Sequence, residues 1–336
     1  MVLRITVINV GYGDAILFQL PDGYTMLLDG GSALPQEFQD DPYRIPAADY
    51  LDAMGITHLD AVVISHIHED HVCGLEPVFK KISVGKLFVP YPVAPFLTGH
   101  ELQAGADAPR SVPLYTAALN AYRRLLLDAV AHNIPVQQIQ VGDTVQAAPD
   151  LRFRVLAPKP SSIDRYMALV EKAYSTSGDV TGLLRQLDAS SNRTSLLLRI
   201  ETGGIVFLAA ADSCPGQWDE TPDFLLENAN VLKLPHHGQR DSISEHFMRD
   251  MPLSYVITTA SSDRRYNSAN EEVYRTIMAW HPEGDAPKFL FSDERSYPPY
   301  FSQPEGFQAI TLEVDSGIMT PGFMRIPQNT EKGEKR

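Results

Sequence analysis

The sequence predicts an α/β protein built as a layered sandwich, and two observations carry that prediction. Short apolar segments with strand composition alternate with amphipathic segments of helical spacing along most of the chain. One order of parts also occurs twice: a hairpin, an aspartate at a strand end, a helix, a short strand and a histidine pair. A duplicated unit of this kind would bring both sets of strand ends to one edge of a sandwich; ordinary α/β alternation is the alternative.

The first half begins with strands at residues 3–10 and 14–20, which the glycine-rich "GYG" separates. The turn signal "PDG" leads to a third strand that ends in "LLDGG", at Asp29. Helical spacing follows in "PAADYLDAMG" and stops at its glycine. The nearly continuous apolar run "LDAVVIS" fits a strand covered on both faces, and it leads directly into "HIHEDH", His66 to His71.

The second half repeats this order. "TSLLLRIETGGIVFLAAAD" contains two strands that end at Asp212, and a helix is expected at about residues 220–229. The strand "NVLKLP" follows and leads to the pair His236-His237. Later strands are expected in "SYVITTA", "KFLFS" and "FQAITLEVD", with a helix near "NEEVYRTIMAWH".

We expect one domain over residues 1–326, with an insertion at about residues 91–192 and a flexible tail at residues 327–336. The insertion contains an amphipathic helix at about residues 113–133 and a strand at residues 151–158, and the rest of it is polar and partly helical. It is expected to lie over or beside the functional site. There it would narrow the entrance or offer a surface to a protein partner.

Composition restricts the class of function. The 336 residues are 44% hydrophobic, which is enough for a large core. A formal net charge of -14 gives no general attraction to nucleic acid, although bound cations can invert the field locally. Cys73 and Cys214 cannot form a disulfide framework, and neither a secretory signal nor a long apolar run is visible, so a cytoplasmic protein without membrane contact is predicted.

The stretch from His66 to His71 holds three of the chain's 10 histidines. Imidazole and carboxylate groups are good ligands for zinc and similar divalent ions. In a loop that leaves a strand, His66 and His68 can point the same way while Asp70 and His71 face a neighbouring position. Such an arrangement suits two metals that share a water. A polar loop with incidental histidines is the alternative, but the clustering recurs as a second histidine pair.

These residues resemble a known family. "HIHEDH" resembles the HxHxDH signature of the metallo-β-lactamase superfamily. "NVGYGDAILFQLPDG…LLDGG", "SNRTSLLLRIETGGIVFLAAAD" and "VLKLPHHG" are similar to the metallo-β-lactamase-like domain of the ComEC DNA-uptake competence proteins. The resemblance covers about residues 3–90 and 190–290. It implies an αββα metallo-β-lactamase sandwich, in which helices flank two mixed β-sheets and the site lies at one edge of both.

By position, the resemblance implies two divalent metal ions, zinc or manganese, and a set of six ligands. The implied ligands are His66 and His68 for the first ion, Asp70, His71 and His237 for the second, and Asp212 as a bridge between both. A turn aspartate at a strand end is the alternative for Asp212. His236 would sit beside the metals as a substrate contact or general acid, and the order of His236 and His237 stays open.

Three further residues are implied at the site. Asp29 matches a strand-end aspartate that would orient a ligand histidine. Neither His100 nor His132 ends a strand from which it could serve as a further ligand; Asn192 in "SSNRTS" instead matches an asparagine that ComEC-like sequences have just before the strand, and the resemblance implies that it faces the first metal or a phosphate. A turn or capping role is the alternative for both Asp29 and Asn192. Asn267 stands where ComEC-like sequences place a phosphate-contacting histidine, and this departure weakens the case for DNase activity of the ComEC kind.

The combined pattern predicts a hydrolase in which two metal ions activate a hydroxide, most favourably against phosphodiester bonds of nucleic acid or a nucleotide. Asp70 and Asp212 would position the nucleophile, and His236 would protonate the leaving group. Two alternatives stay open. One is an ester, lactone or thioester hydrolase of the same fold, and the other is a metal-binding interaction protein with weakened catalysis.

Overall fold

Two mixed β-sheets pack face to face, with helices on both outer faces, in a computed structural model that describes residues 2–39, 41–218, 223–281, 284–294 and 296–326. The described strands of the first sheet, in spatial order, are β17 (Ile318–Met324), β16 (Ala309–Asp315), β1 (Leu3–Ile8), β2 (Ile16–Gln19), β3 (Thr25–Leu28), β5 (Ala61–Val63), β7 (Leu87–Val89) and β8 (Val136–Gln138). Those of the second sheet are β15 (Lys288–Phe291), β14 (Tyr255–Thr258), β13 (Val231–Lys233), β12 (Ile205–Ala209), β11 (Leu197–Thr202), β10 (Leu151–Ala157) and β9 (Thr144–Ala148). The short strands β4 (His58–Leu59) and β6 (Ser83–Val84) pair separately.

The described helices are α1 (Ala47–Ala53), α2 (Glu69–Val72), α3 (Leu75–Lys81), α4 (Ala94–Thr98), α5 (Ser111–Ala131), α6 (Pro160–Ser175), α7 (Thr181–Ser191), α8 (Glu245–Met248) and α9 (Glu271–Trp280). Helices α1 and α3 to α7 contribute to the apolar layer on the outer face of the first sheet, and α8 and α9 to that of the second. Among the residues described, no helix has both the length and the apolar character needed to span a membrane.

Successive side chains along each strand point to opposite faces of the sheet, and this alternation builds the core. In β2, Phe18 faces the second sheet and meets Phe207 of β12 edge to face, with ring centroids 5.6 Å apart, while its neighbour Leu17 faces the helical layer. All three side chains are fully buried. Each such burial stabilises the fold by about 1.5–3 kcal/mol, so the alternating apolar residues fix which face of each strand turns inward.

The repeated order of sequence parts appears as repeated strand pairing. β2 and β3 are antiparallel and β3 and β5 are parallel, and likewise β11 and β12 are antiparallel and β12 and β13 parallel. Asp29 follows β3 and His66 follows β5, whereas Asp212 follows β12 and the histidine pair follows β13. The carboxyl ends of both parallel pairs therefore carry the candidate ligands to one edge of the sandwich.

The helix predicted at residues 220–229 is wrong in its described part, where a 3-10 turn covers Asp223–Leu225 instead. Residues 220–222 lie outside the described residues. The Arg199 guanidinium donates to the backbone carbonyl oxygens of Leu225 and Glu227, each at 2.9 Å. These oxygens therefore accept from Arg199 and not from the backbone N–H groups of a helix. Asn228 also has a left-handed backbone, with φ 61°, which stops a helix.

The predicted insertion at residues 91–192 contains more strands than the one that its sequence indicated. Its strand β8 extends the first sheet, and β9 and β10 extend the second. The predicted strand at residues 151–158 corresponds to β10, but β8 and β9 were not predicted. Edge strand β17 was not predicted either; it contains Pro321 and Gly322, which suit a sheet edge rather than a sheet centre. The predicted tail at residues 327–336 lies outside the described residues.

Gly74 is a position where packing demands glycine. A Cβ there would lie 1.9 Å from the backbone oxygen of Gly30, which belongs to the turn after β3. We expect Gly74→Ala to lower the free energy of unfolding by about 1–3 kcal/mol, because the overlap forces two backbones apart. Gly182→Ala in α7 is the matched control, since a Cβ there meets open space. Urea denaturation measures both, and equal stabilities would contradict the expectation.

Candidate metal centre

The first group of candidate ligands lies in the loop that leaves β5. His66 is fully buried, and its Nε2 lies 3.2 Å from Nδ1 of His68. The same Nε2 lies 3.7 Å from Oδ2 of Asp212, which arrives from the end of β12. The structure therefore places His66 next to both His68 and Asp212, and the ligand atoms of His66, His71 and Asp212 lie within 4.8 Å of one another.

A second group forms on the other side of Asp212. The Oδ1 atom of Asp212 lies 3.4 Å from Nε2 of His71 and 3.2 Å from Nε2 of His237. Oδ2 of Asp70 lies 3.6 Å from the first of these nitrogens and 3.0 Å from the second. Asp212 thus directs one carboxylate oxygen to each group.

Hydrogen bonds at Nδ1 orient the rings of three histidines of the cluster. His66 Nδ1 lies 3.0 Å from the Ser65 hydroxyl, which itself donates to Asp29, so this nitrogen donates to that oxygen. His71 Nδ1 donates to Asp29 at 2.9 Å, and His237 Nδ1 donates to the carbonyl oxygen of Thr259 at 2.6 Å. Each ring therefore turns its Nε2 atom toward Asp212.

The residues fit a pair of metal ions. Buried polar atoms almost always have hydrogen-bond partners, yet in the described part of the chain His71 Nε2, His237 Nε2 and Asp212 Oδ1 are buried without one. The donor atoms lie 3.0–3.7 Å apart across the cluster, close to the separation of about 3.4 Å expected for nitrogen and oxygen ligands bound at about 2.1 Å to a tetrahedral ion. Histidine and carboxylate donors together suit divalent zinc or manganese.

The electrostatics of the cluster keep its carboxylates ionised. Burial alone would raise the pKa of both Asp70 and Asp212, but the neighbouring His71 and His237 hold each pKa well below its usual range. Burial, with the charge of His71, lowers the pKa of His66 well below that of free imidazole. Ionised carboxylates and a neutral imidazole are the forms that coordinate a cation.

Asp29 supports the candidate metal centre through hydrogen bonds from Ser65 and His71. It is fully buried and has a left-handed backbone, with φ 57°. One carboxylate oxygen accepts the Ser65 backbone N–H at 2.8 Å, and the other accepts the Ser65 hydroxyl at 2.6 Å and His71 Nδ1 at 2.9 Å. Burial raises the pKa of Asp29, while its contacts with His71 oppose the rise. The carboxylate therefore fixes the orientation of His71.

We expect Asp29→Asn to weaken divalent metal binding by about 10–100-fold, because the amide no longer fixes the ring orientation of His71 by charge. Competition with a chromogenic chelator measures the change. Asp60→Asn is the matched control: its carboxylate also accepts a backbone N–H, from Thr25 at 2.7 Å, but it lies outside the cluster. If Asp29→Asn bound metal as tightly as Asp60→Asn, the orienting role would be wrong.

Lys233 is a buried charged residue beside the cluster that sequence reasoning missed. Its side chain is fully buried, with Nζ 2.6 Å from Oδ2 of Asp14 and donating to the carbonyl oxygen of Ala211 at 2.9 Å. Asp14 also lies 3.7 Å from Nδ1 of His237 and 4.0 Å from Nδ1 of His71. A single lysine inside the apolar strand "NVLKLP" was the available signal, because buried lysines are rare without a partner.

The histidine pair lies in a strained turn. His236, His237 and Gly238 all have left-handed backbones, with φ 47°, 54° and 72°, a conformation that costs about 1–3 kcal/mol at each non-glycine residue. The turn sends the two rings in different directions. His237 is buried in the cluster, whereas His236 has Nε2 at 3.1 Å from Nδ2 of Asn192 and Nδ1 at 3.1 Å from Asp241.

The cluster opens to a cavity of about 340 Å³. Asn192 and His236 line it beside Asp70 and Asp212, while Asp188 of α7, which was not predicted, lies 3.6 Å from Nε2 of His68. Asn267 does not line this cavity; its Oδ1 accepts from the Asn270 amide. The neighbouring Tyr266 and Arg265 reach the cavity instead, so the structure does not bring Asn267 to the cluster.

The described fold is the metallo-β-lactamase fold. Residues 8–135 match the profile of the metallo-beta-lactamase superfamily. A CmlA beta-hydroxylase variant has a similar structure, with a TM-score of 0.50 and 12% identity, over 93% of this chain and 54% of that one. A diphosphatase of the PhnP family aligns with 94% of this chain and all of its own, at a TM-score of 0.44 and 14% identity.

Among characterised proteins, the ComE operon protein 3 of Bacillus subtilis (strain 168) is 24% identical over 290 residues. The match covers 82% of this chain but 30% of that protein, so the chain spans less than a third of this relative. The comparisons confirm the resemblance to metallo-β-lactamase superfamily proteins of the ComEC type and the predicted fold class.

Proposed function

We propose that the chain is a metal-dependent hydrolase that holds two divalent ions, zinc or manganese, and cleaves phosphodiester bonds of a nucleotide or nucleic acid. The observation that carries the proposal is the convergence of three Nε2 atoms, from His66, His71 and His237, on the two carboxylate oxygens of Asp212. Two ions bound there would supply Lewis-acid activation of water and neutralise charge on the phosphoryl oxygens.

The residue roles follow from position in the cluster. The proposed ligands are His66, His68 and Asp212 for one ion, and Asp70, His71, His237 and Asp212 for the other. The carboxylates of Asp70 and Asp212 line the cavity, so they also orient the attacking water. Asp29 positions His71 and does not touch the substrate. A single domain over residues 1–326 and a location in the cytoplasm belong to the same proposal.

His236 serves as the proton donor to the leaving oxygen. Its ring lines the cavity outside the ligand set, between Asp241 at Nδ1 and Asn192 at Nε2. Burial lowers its pKa, but the carboxylates of Asp241 and Asp212 more than offset this and raise the pKa above its ordinary value. The raised pKa favours the protonated ring at the cavity wall, and Asn192 lies beside it to contact the phosphoryl group.

A nucleotide fits the mouth of the cavity. Tyr266 is 62% exposed there, and its ring lies edge-on to Tyr12 with centroids 5.4 Å apart. An exposed tyrosine is a surface on which a base can stack, at about 1–3 kcal/mol per base. Arg110 lines the same cavity from an exposed position and offers positive charge to a phosphate. Arg265 contributes less charge, because Glu37 and Asp263 pair with it.

A second candidate function is hydrolysis of a carboxylic ester, lactone or thioester. Part of the cavity lining favours it: Leu34, Leu114 and Tyr115 line the same cavity as Asp70 and Asp212. Such walls suit an acyl chain better than a phosphate. A third candidate function is metal-dependent binding of a protein partner, through residues 91–192 and without turnover. Absence of cleavage of every substrate tested would favour it.

The test is a hydrolysis screen of the purified chain with manganese or zinc. Bis-p-nitrophenyl phosphate, single-stranded DNA, RNA and a panel of lactones are compared in the native chain and in the double variant His68→Ala, Asp70→Ala. We expect phosphodiester turnover that the double variant lacks. Turnover that survives in the double variant would contradict the mechanism, and cleavage of lactones alone would favour the second candidate.

A further inference from the structure

A separate group of metal-binding side chains lies beside the candidate metal centre. Cys214, His236 and Asp241 each offer one ligand atom, and these atoms all lie within 4.8 Å of one another. From Nδ1 of His236, the nearest Asp241 oxygen is 3.1 Å away and the Cys214 sulfur is 3.9 Å away. A tetrahedral zinc ion would place its nitrogen and oxygen ligands about 3.4 Å apart and its nitrogen and sulfur ligands about 3.6 Å apart. The observed nitrogen–oxygen distance is slightly shorter than the first of these values, and the observed nitrogen–sulfur distance is slightly longer than the second.

Three different loops build this group. Cys214 follows β12 two residues after Asp212, and Asp241 lies in the 3-10 turn Arg240–Ser242. The backbone of His236 donates to the carbonyl oxygen of Ala211 at 2.9 Å, which fixes the ring between the other two loops. Since Nδ1 faces Cys214 and Asp241 while Nε2 faces Asn192, the imidazole connects this group to the cavity.

We propose that Cys214, His236 and Asp241 form a third metal site that takes a thiophilic divalent ion, zinc in the first instance, and that its occupation inhibits the enzyme. Sulfur, nitrogen and carboxylate donors together suit zinc or cadmium and do not suit manganese. A cation on Nδ1 would take this nitrogen and the Asp241 carboxylate as ligands and hold the ring between Cys214 and Asp241, so His236 could no longer serve the leaving oxygen. The inhibitory part rests on the proposed function, whereas the site itself does not.

Cysteine content makes this site visible by spectroscopy. The chain has two cysteines, and Cys73 is buried in the helical layer against the first sheet. The proposed dinuclear centre has only nitrogen and oxygen ligands, so a thiolate-to-metal charge-transfer band reports the third site alone. The full chain is saturated with Mn²⁺ and then titrated with Cd²⁺. We expect one equivalent of Cd²⁺ to produce the ultraviolet thiolate band without release of bound Mn²⁺.

Variants decide the assignment. Cys214→Ser should abolish the band, Cys73→Ser should keep it, and Asp241→Asn should weaken Cd²⁺ binding roughly tenfold or more. Absence of the band in the native chain, or its persistence in Cys214→Ser, would overturn the site. A band that forms only as Mn²⁺ is released would place Cys214 in the dinuclear centre and overturn it equally. If the chain binds no Mn²⁺ but shows the band, the dinuclear proposal fails and the third site stands.

Activity tests the inhibitory role. Excess Zn²⁺ should lower phosphodiester turnover of the native chain and of Cys73→Ser at least severalfold. Cys214→Ser should turn over at the native rate without excess Zn²⁺ and should resist the inhibition. Equal inhibition of Cys214→Ser and Cys73→Ser would overturn the inhibitory role.

Discussion

Asp212→Asn is expected to remove the paired metal binding and to lower turnover by on the order of 10³-fold or more. Each carboxylate oxygen of Asp212 faces a different group of histidines, so one substitution affects both proposed ions. An amide carries no negative charge, and its nitrogen is a donor that cannot coordinate a cation. Metal content measured by plasma mass spectrometry should fall from two ions per chain to one or none.

Asp107→Asn is the matched control for this variant, because it makes the same chemical change on an exposed loop residue. It should keep two ions per chain and native turnover. Circular dichroism of both variants separates loss of metal from loss of fold. If Asp212→Asn kept the native metal content, the proposed bridging role of Asp212 would be wrong.

Lys233→Met is expected to lower the free energy of unfolding by about 3–5 kcal/mol, the cost of leaving a buried charge without its partner. The buried ammonium lies 2.6 Å from Asp14, and both side chains are almost fully excluded from solvent. The methionine keeps the length of the side chain but leaves the carboxylate of Asp14 uncompensated. Denaturation in urea measures the loss.

The exposed pair Lys81–Asp49 is the control, since its charged atoms are also 2.6 Å apart but its side chains are about half exposed. Lys81→Met should cost about 1 kcal/mol or less. In the double variant Lys233→Met, Asp14→Asn, the buried charge is gone, so we expect stability to recover in part. Equal losses in Lys233→Met and Lys81→Met would show that burial does not set the cost of this pair.

Much of the fold was predictable because short-range patterns determine it. The apolar run before His66 predicts a buried strand, and in the structure Val62, Val63 and Ile64 are all fully buried. The proximity of Asp29 to His71 could be inferred, because parallel strands deliver their carboxyl ends to the same sheet edge. Order along the chain therefore sufficed to group most candidate ligands.

Other features depend on contacts distant in the sequence and could not be predicted. The described part of the segment predicted as a helix at residues 220–229 forms a 3-10 turn instead, because Arg199, on β11, binds its carbonyl oxygens. The pairing of Lys233 with Asp14 joins residues from the two sheets, and no local pattern marks it. Asn267 was expected near the phosphate from its position after the histidine pair, but its side chain bonds to Asn270 instead.

The most direct test of the proposed centre is anomalous X-ray diffraction from crystals of the full chain grown with saturating manganese or zinc. Two anomalous peaks are predicted on either side of the Asp212 carboxylate, one beside His66 and His68 and the other beside Asp70, His71 and His237. Peaks only at positions remote from Asp212, or no peak at saturating metal, would contradict the dinuclear centre.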